Sequence, residues 1–327
     1  MKVFLKNSLV TISIPAVLYL VFLILRPASF GVAATFYNVF QQSIISCIIA
    51  WGLSFTMMMN QFDLAVGSEI VLGAILGALL APKLGIPGIM IGCISGCLIT
   101  GIIKSAAFLY LKIPTMILTI ALTYIFAALG GIITDSGSLI IDSKYSVLAQ
   151  APWNIMIFIC AGGLMYLLHR YSPYGAKARA VGNSENIAKL CGIRADRVRV
   201  GALIISSLFA GVAAIMKLSH GSSVAPTSGL ASISTILEPI MSVFIGIVMM
   251  RFVNIVVGIF IGSLVMSIIS NGLIAVSMPP SYNNVVIGGV LLALMMFVNL
   301  KTMLEEEKIR KNIANIRLQN QANNPLN

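Results

Sequence analysis

The chain has 327 residues, 58% hydrophobic and only 9% charged, with a mean hydropathy of +0.99. A soluble domain carries about 25% charged residues, so this composition cannot coat a soluble fold and reads as an all-α, polytopic integral membrane protein. The net charge of +11, from 21 Lys and Arg against 10 Asp and Glu, would point to nucleic acid in a soluble protein; here the question is on which side of a bilayer the basic residues lie.

A spanning helix needs about 20 apolar residues. Lys2 and Lys6 precede an apolar run from Leu9 to Leu25, an order resembling a signal peptide. The run is longer than a usual signal core and reads as a retained first span. Further runs, broken by polar, Gly or Pro clusters, predict ten helices near 8–25, 39–59, 64–81, 86–111, 113–133, 153–169, 200–218, 232–250, 252–276 and 283–300. The runs are continuous rather than alternating, which excludes a β-barrel. Residues 1–300 form one transmembrane domain in this reading, and 301–327 a polar cytoplasmic tail ending in an Asn/Gln-rich stretch of disordered composition.

With the N-terminus inside and each helix reversing the side, 17 of the 21 basic residues fall on the inner face. They include Lys104, Lys112, Arg251 and seven residues from Arg170 to Arg199; only Arg26, Lys83, Lys144 and Lys217 fall outside. Basic residues concentrate on the cytoplasmic side of membrane proteins, so both termini are expected in the cytoplasm. Losing two spans together preserves this parity, so eight spans also fit. Gly73 and Gly77, Gly92 and Gly96, and Gly258 and Gly262 are spaced for close helix packing in lipid.

The five cysteines have no disulfide-like spacing, and Cys93 and Cys97 read as small packing residues on an apolar helix. His169 and His220 belong to no ligand cluster, so neither a metal site nor a catalytic site is expected. No Gly-x-x-x-x-Gly-Lys-Ser/Thr loop occurs, so any ATP hydrolysis belongs to another subunit.

Three polar features remain. The segment 171–199 is the largest polar stretch and contains Gly182-Asn183-Ser184-Glu185 and Ala188-Lys189-Leu190-Cys191-Gly192. Asn183 or Ser184 can cap a short helix that Gly192 ends. Glu185 and Lys189 stand in the favourable i,i+4 order, and Ile187, Leu190 and Ile193 give the helix an apolar edge. It reads either as a partner-docking helix or as a solvated basic loop that fixes topology. The second feature is Asn60-Gln61-Phe62-Asp63, where Asp63 is expected to cap the next helix. The third is the pair of carboxylates inside spans, Glu69 and Glu238, the latter beside the helix-kinking Pro239. An ionisable residue in a span faces a cavity or a partner; both carboxylates read either as pathway lining or as groups bonded to a neighbouring helix.

These residues, taken together, resemble a family. Phe62-Asp63-Leu64-Ala65-Val66-Gly67-Ser68 looks like the DLSVGS motif of ribose-type ABC transporter permeases, the membrane subunits of bacterial importers for pentoses, hexoses and related polyols. Ile113-Pro114-Thr115-Met116-Ile117-Leu118-Thr119 resembles that family's IPPFIVTL segment. Tyr174-Gly175, Ala180-Val181-Gly182-Asn183, Ala188, Leu190 and Gly192-Ile193 resemble its cytoplasmic loop, and Pro226, Gly229 and Asn271-Gly272-Leu273 its outer loop and late helix. The motifs run in the family's order over residues 40 to 300.

The resemblance implies an importer permease in the bacterial inner membrane working by alternating access, for a small sugar or polyol. It implies that the 182–193 helix docks in cytoplasmic ABC ATPase subunits, which hold ATP and Mg while this chain binds no cofactor. It further implies a second permease subunit, a periplasmic or lipid-anchored sugar-binding protein and the surrounding lipid as partners, with no nucleic acid. Asn60, Asp63, Glu69, Glu238 and Asn271 are the candidate path or gate residues. One departure stands out: the family's acidic pair after Pro-x-x-Gly is missing, only Gly246 remains of its later Gly-rich turn, and Glu238 has no obvious counterpart. The departure implies a divergent half of a heterodimer. The alternatives are an ion-coupled secondary transporter or channel using Glu69 and Glu238, and a membrane scaffold that does not transport.

Overall fold

In a computed structural model of the chain, residues 2–227, 229–250 and 253–276 are described, together with positions 282, 285, 286, 288, 289, 292 and 296; side chains are described from Ser13 onward, except that of Leu230. Residues up to Pro280 form one compact unit and those from Ser281 a second. The isolated described positions of the second unit are helical. Most of the predicted tenth span, the whole tail 301–327 and Arg251 lie outside the described residues.

The long helices follow the apolar runs. They are α1 (Lys2–Leu25), α3 (Ala33–Met57), α4 (Val66–Leu84), α5 (Ile86–Leu111), α6 (Thr115–Ile133), α7 (Trp153–Arg170), α10 (Ala195–Gly221), α11 (Ser234–Met249) and α12 (Ile255–Ala275). Among the described residues, eight spans from α3 onward are long and apolar enough to cross a membrane, α11 together with the turn before it (Ala231–Met249), and α1 contributes the apolar stretch Ser13–Leu25. Between them lie the short helices α2 (Pro27–Phe30), α8 (Pro173–Asn183) and α9 (Glu185–Leu190).

Three helices start ahead of their apolar runs: α1 begins at Lys2 rather than 8, α3 at Ala33 rather than 39, and α10 at Ala195 rather than 200. In α10 the added turn is polar: Asp196 sits where the helix dipole favours an anion, and Arg197 and Arg199 follow it. α12 starts three residues later than the run, where the Asn254 side chain accepts from the Val256 N–H (3.3 Å) and caps it.

α3, α4 and α10 pack at the centre, with α5, α11 and α12 around them. The small residues work as their spacing predicts. Gly92 lies so close to α4 that an added Cβ would stand 2.7 Å from the Gly77 Cα, while Cys93 and Cys97 pack onto Gly77 and Gly73. Gly258 and Gly262 face Gly246 and Ser242 of α11 in the same manner. Cys47, Cys93 and Cys97 are buried free thiols. Among the described residues no group of His, Cys, Asp or Glu is arranged to hold a metal.

At one end of the bundle the loops after α6 and α10 join in a two-stranded antiparallel pair, β1 (Leu139–Ile140) with β2 (Ser223–Val224), in the register Leu139–Val224. The Ser146 and Ser222 hydroxyls (2.8 Å) reinforce it, and Gln41 of α3 donates from Nε2 to the Ala149 carbonyl. α8 and α9 lie at the opposite end, with the α3–α4 and α5–α6 corners.

Candidate functional site

The short helix α9 is built as its sequence suggests. Ser184 is its N-cap, accepting from the Ile187 N–H at 3.4 Å, while Asn183 ends α8. At the other end the Gly192 N–H donates to Lys189 O and the Ile193 N–H to Ala188 O, both at 3.0 Å. This is a Schellman closure, and it requires the left-handed φ of +78° that Gly192 adopts. Glu185 pairs with Lys189 at 2.7 Å.

A second partner of Glu185 was not evident from spacing. Arg199 Nη2, one α10 turn beyond Ala195, lies 2.7 Å from Glu185 Oε2 and ties α9 to a long helix. Hydrogen bonds from Lys189 and Arg199 hold the Glu185 carboxyl below its ordinary range. α8 is anchored too. Tyr174 donates its hydroxyl to Val198 O (2.7 Å) and packs on Phe55, and burial pushes its phenol up. Gly182 approaches the Met58 carbonyl too closely for any side chain.

The apolar edge divides in two. Ala188 is buried and Ile193 packs on the core, whereas Ile187 is 63% and Leu190 88% exposed. The helix therefore presents two large aliphatic side chains outward from a fixed base. Beside it opens a cleft of about 920 Å³ between Gly182, Glu185 and Arg199 on one side and Asn60, Gln61 and Lys112 on the other. Asn60 thus lies at the α8–α9 end rather than within the bundle, in a left-handed turn (φ 56°).

Asp63 and Glu69 lie deeper and share one cation. Lys104 Nζ is 2.6 Å from Asp63 Oδ2 and 2.7 Å from Glu69 Oε1, and all three side chains are fully buried. The contact to Asp63 is a hydrogen bond; that to Glu69 is an ion pair without hydrogen-bond alignment. Glu69 Oε2 accepts from Ser207 Oγ of α10 at 2.8 Å. Two expectations change here. Asp63 does not cap α4, whose N-cap is Ala65 with no side-chain bond; the buried ammonium takes the carboxylate instead. Lys104 is not an inner-loop charge but lies within α5, so it leaves the topological count.

Glu238 and Asn271 meet in a separate cluster. Ser267 Oγ of α12 donates to Glu238 Oε1 of α11 at 2.8 Å. Asn271 Nδ2 lies 2.7 Å from Gln42 Oε1 of α3 and 2.8 Å from Ser267 O. Glu238, Gln42 and Asn271 are partly exposed, and among the described residues Glu238 has no cationic partner. The five candidate path residues are therefore in three places: Asn60 in the end cleft, Asp63 with Glu69 around Lys104, and Glu238 with Asn271 near the β1–β2 end. Sequence reasoning missed Gln42, Ser207 and Ser267, which are ordinary polar residues in apolar runs.

Residues 35–295 match the family described as branched-chain amino acid transport system / permease component. The chain is 27% identical to the ribose import permease protein RbsC of Haemophilus influenzae over 72% of its length and 76% of that protein's. It is 27% identical to RbsC of Bacillus subtilis, over 84% and 88% of the two chains. It is 24% identical to the autoinducer 2 import system permease protein LsrC of Photorhabdus luminescens, over 84% and 85%. Long apolar helices, the ordered motifs and a match across most of the chain agree: this multi-pass membrane protein belongs to the family of branched-chain amino acid transport system permease components.

Proposed function

We propose that the chain is the membrane-spanning permease subunit of an ATP-driven bacterial importer for a small sugar or related polyol. The relatives named for ribose, autoinducer 2, fructose and arabinose import support that substrate class. ATP and Mg belong to separate cytoplasmic ATPase subunits, and an extracytoplasmic binding protein delivers the solute. The α8–α9 end faces the cytoplasm, as do both termini. A second permease subunit completes the path, and the shortened Gly-rich turn marks this chain as one half of a heterodimer.

One observation carries the coupling role. α9 is capped at both ends, pinned to α10 by Glu185–Arg199, and turns Ile187 and Leu190 outward. Aliphatic groups this exposed at a membrane protein's aqueous end fit a hydrophobic cleft in a partner. ATP-driven closure of that partner pulls the 182–193 segment, and Arg199 passes the movement to α10, which contacts α3, α4 and α5. Glu69 already has Lys104 and Ser207 as partners, which favours this reading over ion coupling at that residue.

The test is co-purification with the cognate ATPase. Leu190→Asp should abolish ATPase association and ATP-dependent uptake while leaving thermal stability within about 0.5 kcal/mol, as expected of an exposed site. Unchanged association would remove α9 from the interface. A pure homodimer that transports would remove the heterodimer.

A further inference from the structure

Resting on the importer reading, we propose that Gln42, Glu238, Ser267 and Asn271 form a solvent-accessible site that hydrogen-bonds the hydroxyl groups of the translocated polyol near the β1–β2 end of the path.

Three observations lead there. The first is the charge balance of Glu238. It lies one turn into α11, inside a segment apolar enough to span the membrane. Glu69, a second carboxylate within a span, is fully buried against a lysine. Glu238 has no such cation among the described residues and is largely but not wholly buried. A carboxylate in this position does not face lipid, because hydrocarbon offers it no partner. Its open side faces water, a ligand or another subunit.

The second observation is the chemistry beside it. Two amides, Gln42 and Asn271, both partly exposed, stand on the helices flanking α11. Asn271 Nδ2 uses both its donors, on Gln42 Oε1 (2.7 Å) and on the Ser267 carbonyl (2.8 Å), and Gln42 also bonds the Glu238 carboxylate, which leaves the Asn271 Oδ1 acceptor, one Gln42 donor and a lone pair on Gln42 Oε1. Amides carry two donors and two acceptor lone pairs each, so capacity for a ligand remains. A carboxylate accepts from hydroxyls and amides both donate and accept, which suits a vicinal diol whose hydroxyls do the same.

The third is support. Ser267 Oγ bonds Glu238 Oε1 at 2.8 Å, Asn271 is also held by the Ser267 carbonyl at 2.8 Å, and Ser242 Oγ bonds the Glu238 carbonyl at 2.9 Å. The polar groups are thus positioned on three packed helices rather than on loops. A site with few polar groups would hold a sugar weakly, as a path must.

The experiment uses the complete transporter in proteoliposomes, with its ATPase and binding protein, and the exposed Cys160 and Cys191 changed to Ser. Ribose, arabinose and fructose are the probes. Gln42→Cys and Asn271→Cys should react with a charged, membrane-impermeant thiol reagent, and a transported sugar should slow that reaction at least fivefold. The isosteric Glu238→Gln should lower uptake about tenfold while ATP hydrolysis and subunit association persist. Cysteines that never react, that react equally with and without sugar, or a Glu238→Gln loss traced to subunit dissociation would each overturn the site. If the wild-type complex imports none of the three sugars with ATP, the importer reading falls. If it does import one and the cysteines are not protected, only the site falls.

Discussion

Lys104 and Asp63, 41 residues apart, meet through a 2.6 Å hydrogen bond between two fully buried side chains. With Glu69 at 2.7 Å, one ammonium joins the α3–α4 corner, α4 and α5, and Ser207 extends the network to α10. Breaking such a network from one side leaves charges without compensation, at about 3–5 kcal/mol. Lys104→Met should therefore lower the thermal midpoint of the purified protein steeply and reduce its yield. Adding Asp63→Asn and Glu69→Gln to Lys104→Met should recover most of the loss, because no charge is then stranded. A triple variant as unstable as Lys104→Met would show that packing, not charge, sets the cost.

The pairing also marks where sequence reading stops. Long apolar runs announced the eight described spans because a span needs only length and hydropathy. α9 was legible in outline, with its cap left between Asn183 and Ser184: a capping residue before it, Glu185 four ahead of Lys189 and Gly192 after it are local signals. The Lys104 contacts were not, since they join residues 35 to 41 positions apart and no period announces them. One clue was present: three ionisable residues within or beside apolar runs invite mutual pairing, yet Lys104 reads as a loop charge when only its side of the membrane is considered. The β1–β2 pair was equally hidden, because two-residue strands show no alternation.

Glu185 makes the docking helix sensitive to acid. Its carboxyl titrates below the ordinary 4.5 because Lys189 and Arg199 bond its charged form. The stabilisation is thus complete above that ordinary value and is lost as pH falls through the lower folded value. Both pairs are partly screened by water, so the effect is below about 1 kcal/mol. Hydrogen exchange over 185–190, corrected for intrinsic rates, should show constant protection from pH 7 to 5 and a decline below 4. Glu185→Gln should show the reduced protection at every pH.

The α4–α5 contact should tolerate almost no added volume. A Cβ at Gly92 meets the Gly77 Cα at 2.7 Å and its nitrogen at 2.8 Å, and these are backbone atoms that cannot rotate away. Gly92→Leu should cost at least about 1–3 kcal/mol as overpacking, seen as loss of monodisperse protein on size exclusion. Gly163 in α7 has open space around its Cβ position, so Gly163→Leu is the matched control and should leave the profile unchanged. Equal behaviour of the two variants would refute the close helix approach.

Gly192 isolates the geometry of α9 from its surface. The left-handed φ of +78° costs a residue with a Cβ about 1–2 kcal/mol, and a β-branched one still more. No atom lies within 4 Å of that Cβ position, so the penalty is conformational rather than steric crowding. Gly192→Val should therefore open the Schellman closure, releasing the bonds from Gly192 to Lys189 and from Ile193 to Ala188. Ile193 would then lose its seat on the core and Leu190 its fixed direction. The expected result is a permease that still binds the membrane and its partners weakly, with ATP hydrolysis uncoupled from uptake. Gly192→Asn, which tolerates the left-handed region, should retain most of the coupling. Measuring sugar transported per ATP hydrolysed for both variants separates the two cases. Full coupling in Gly192→Val would mean that the C-terminal closure of α9 has no part in transmission.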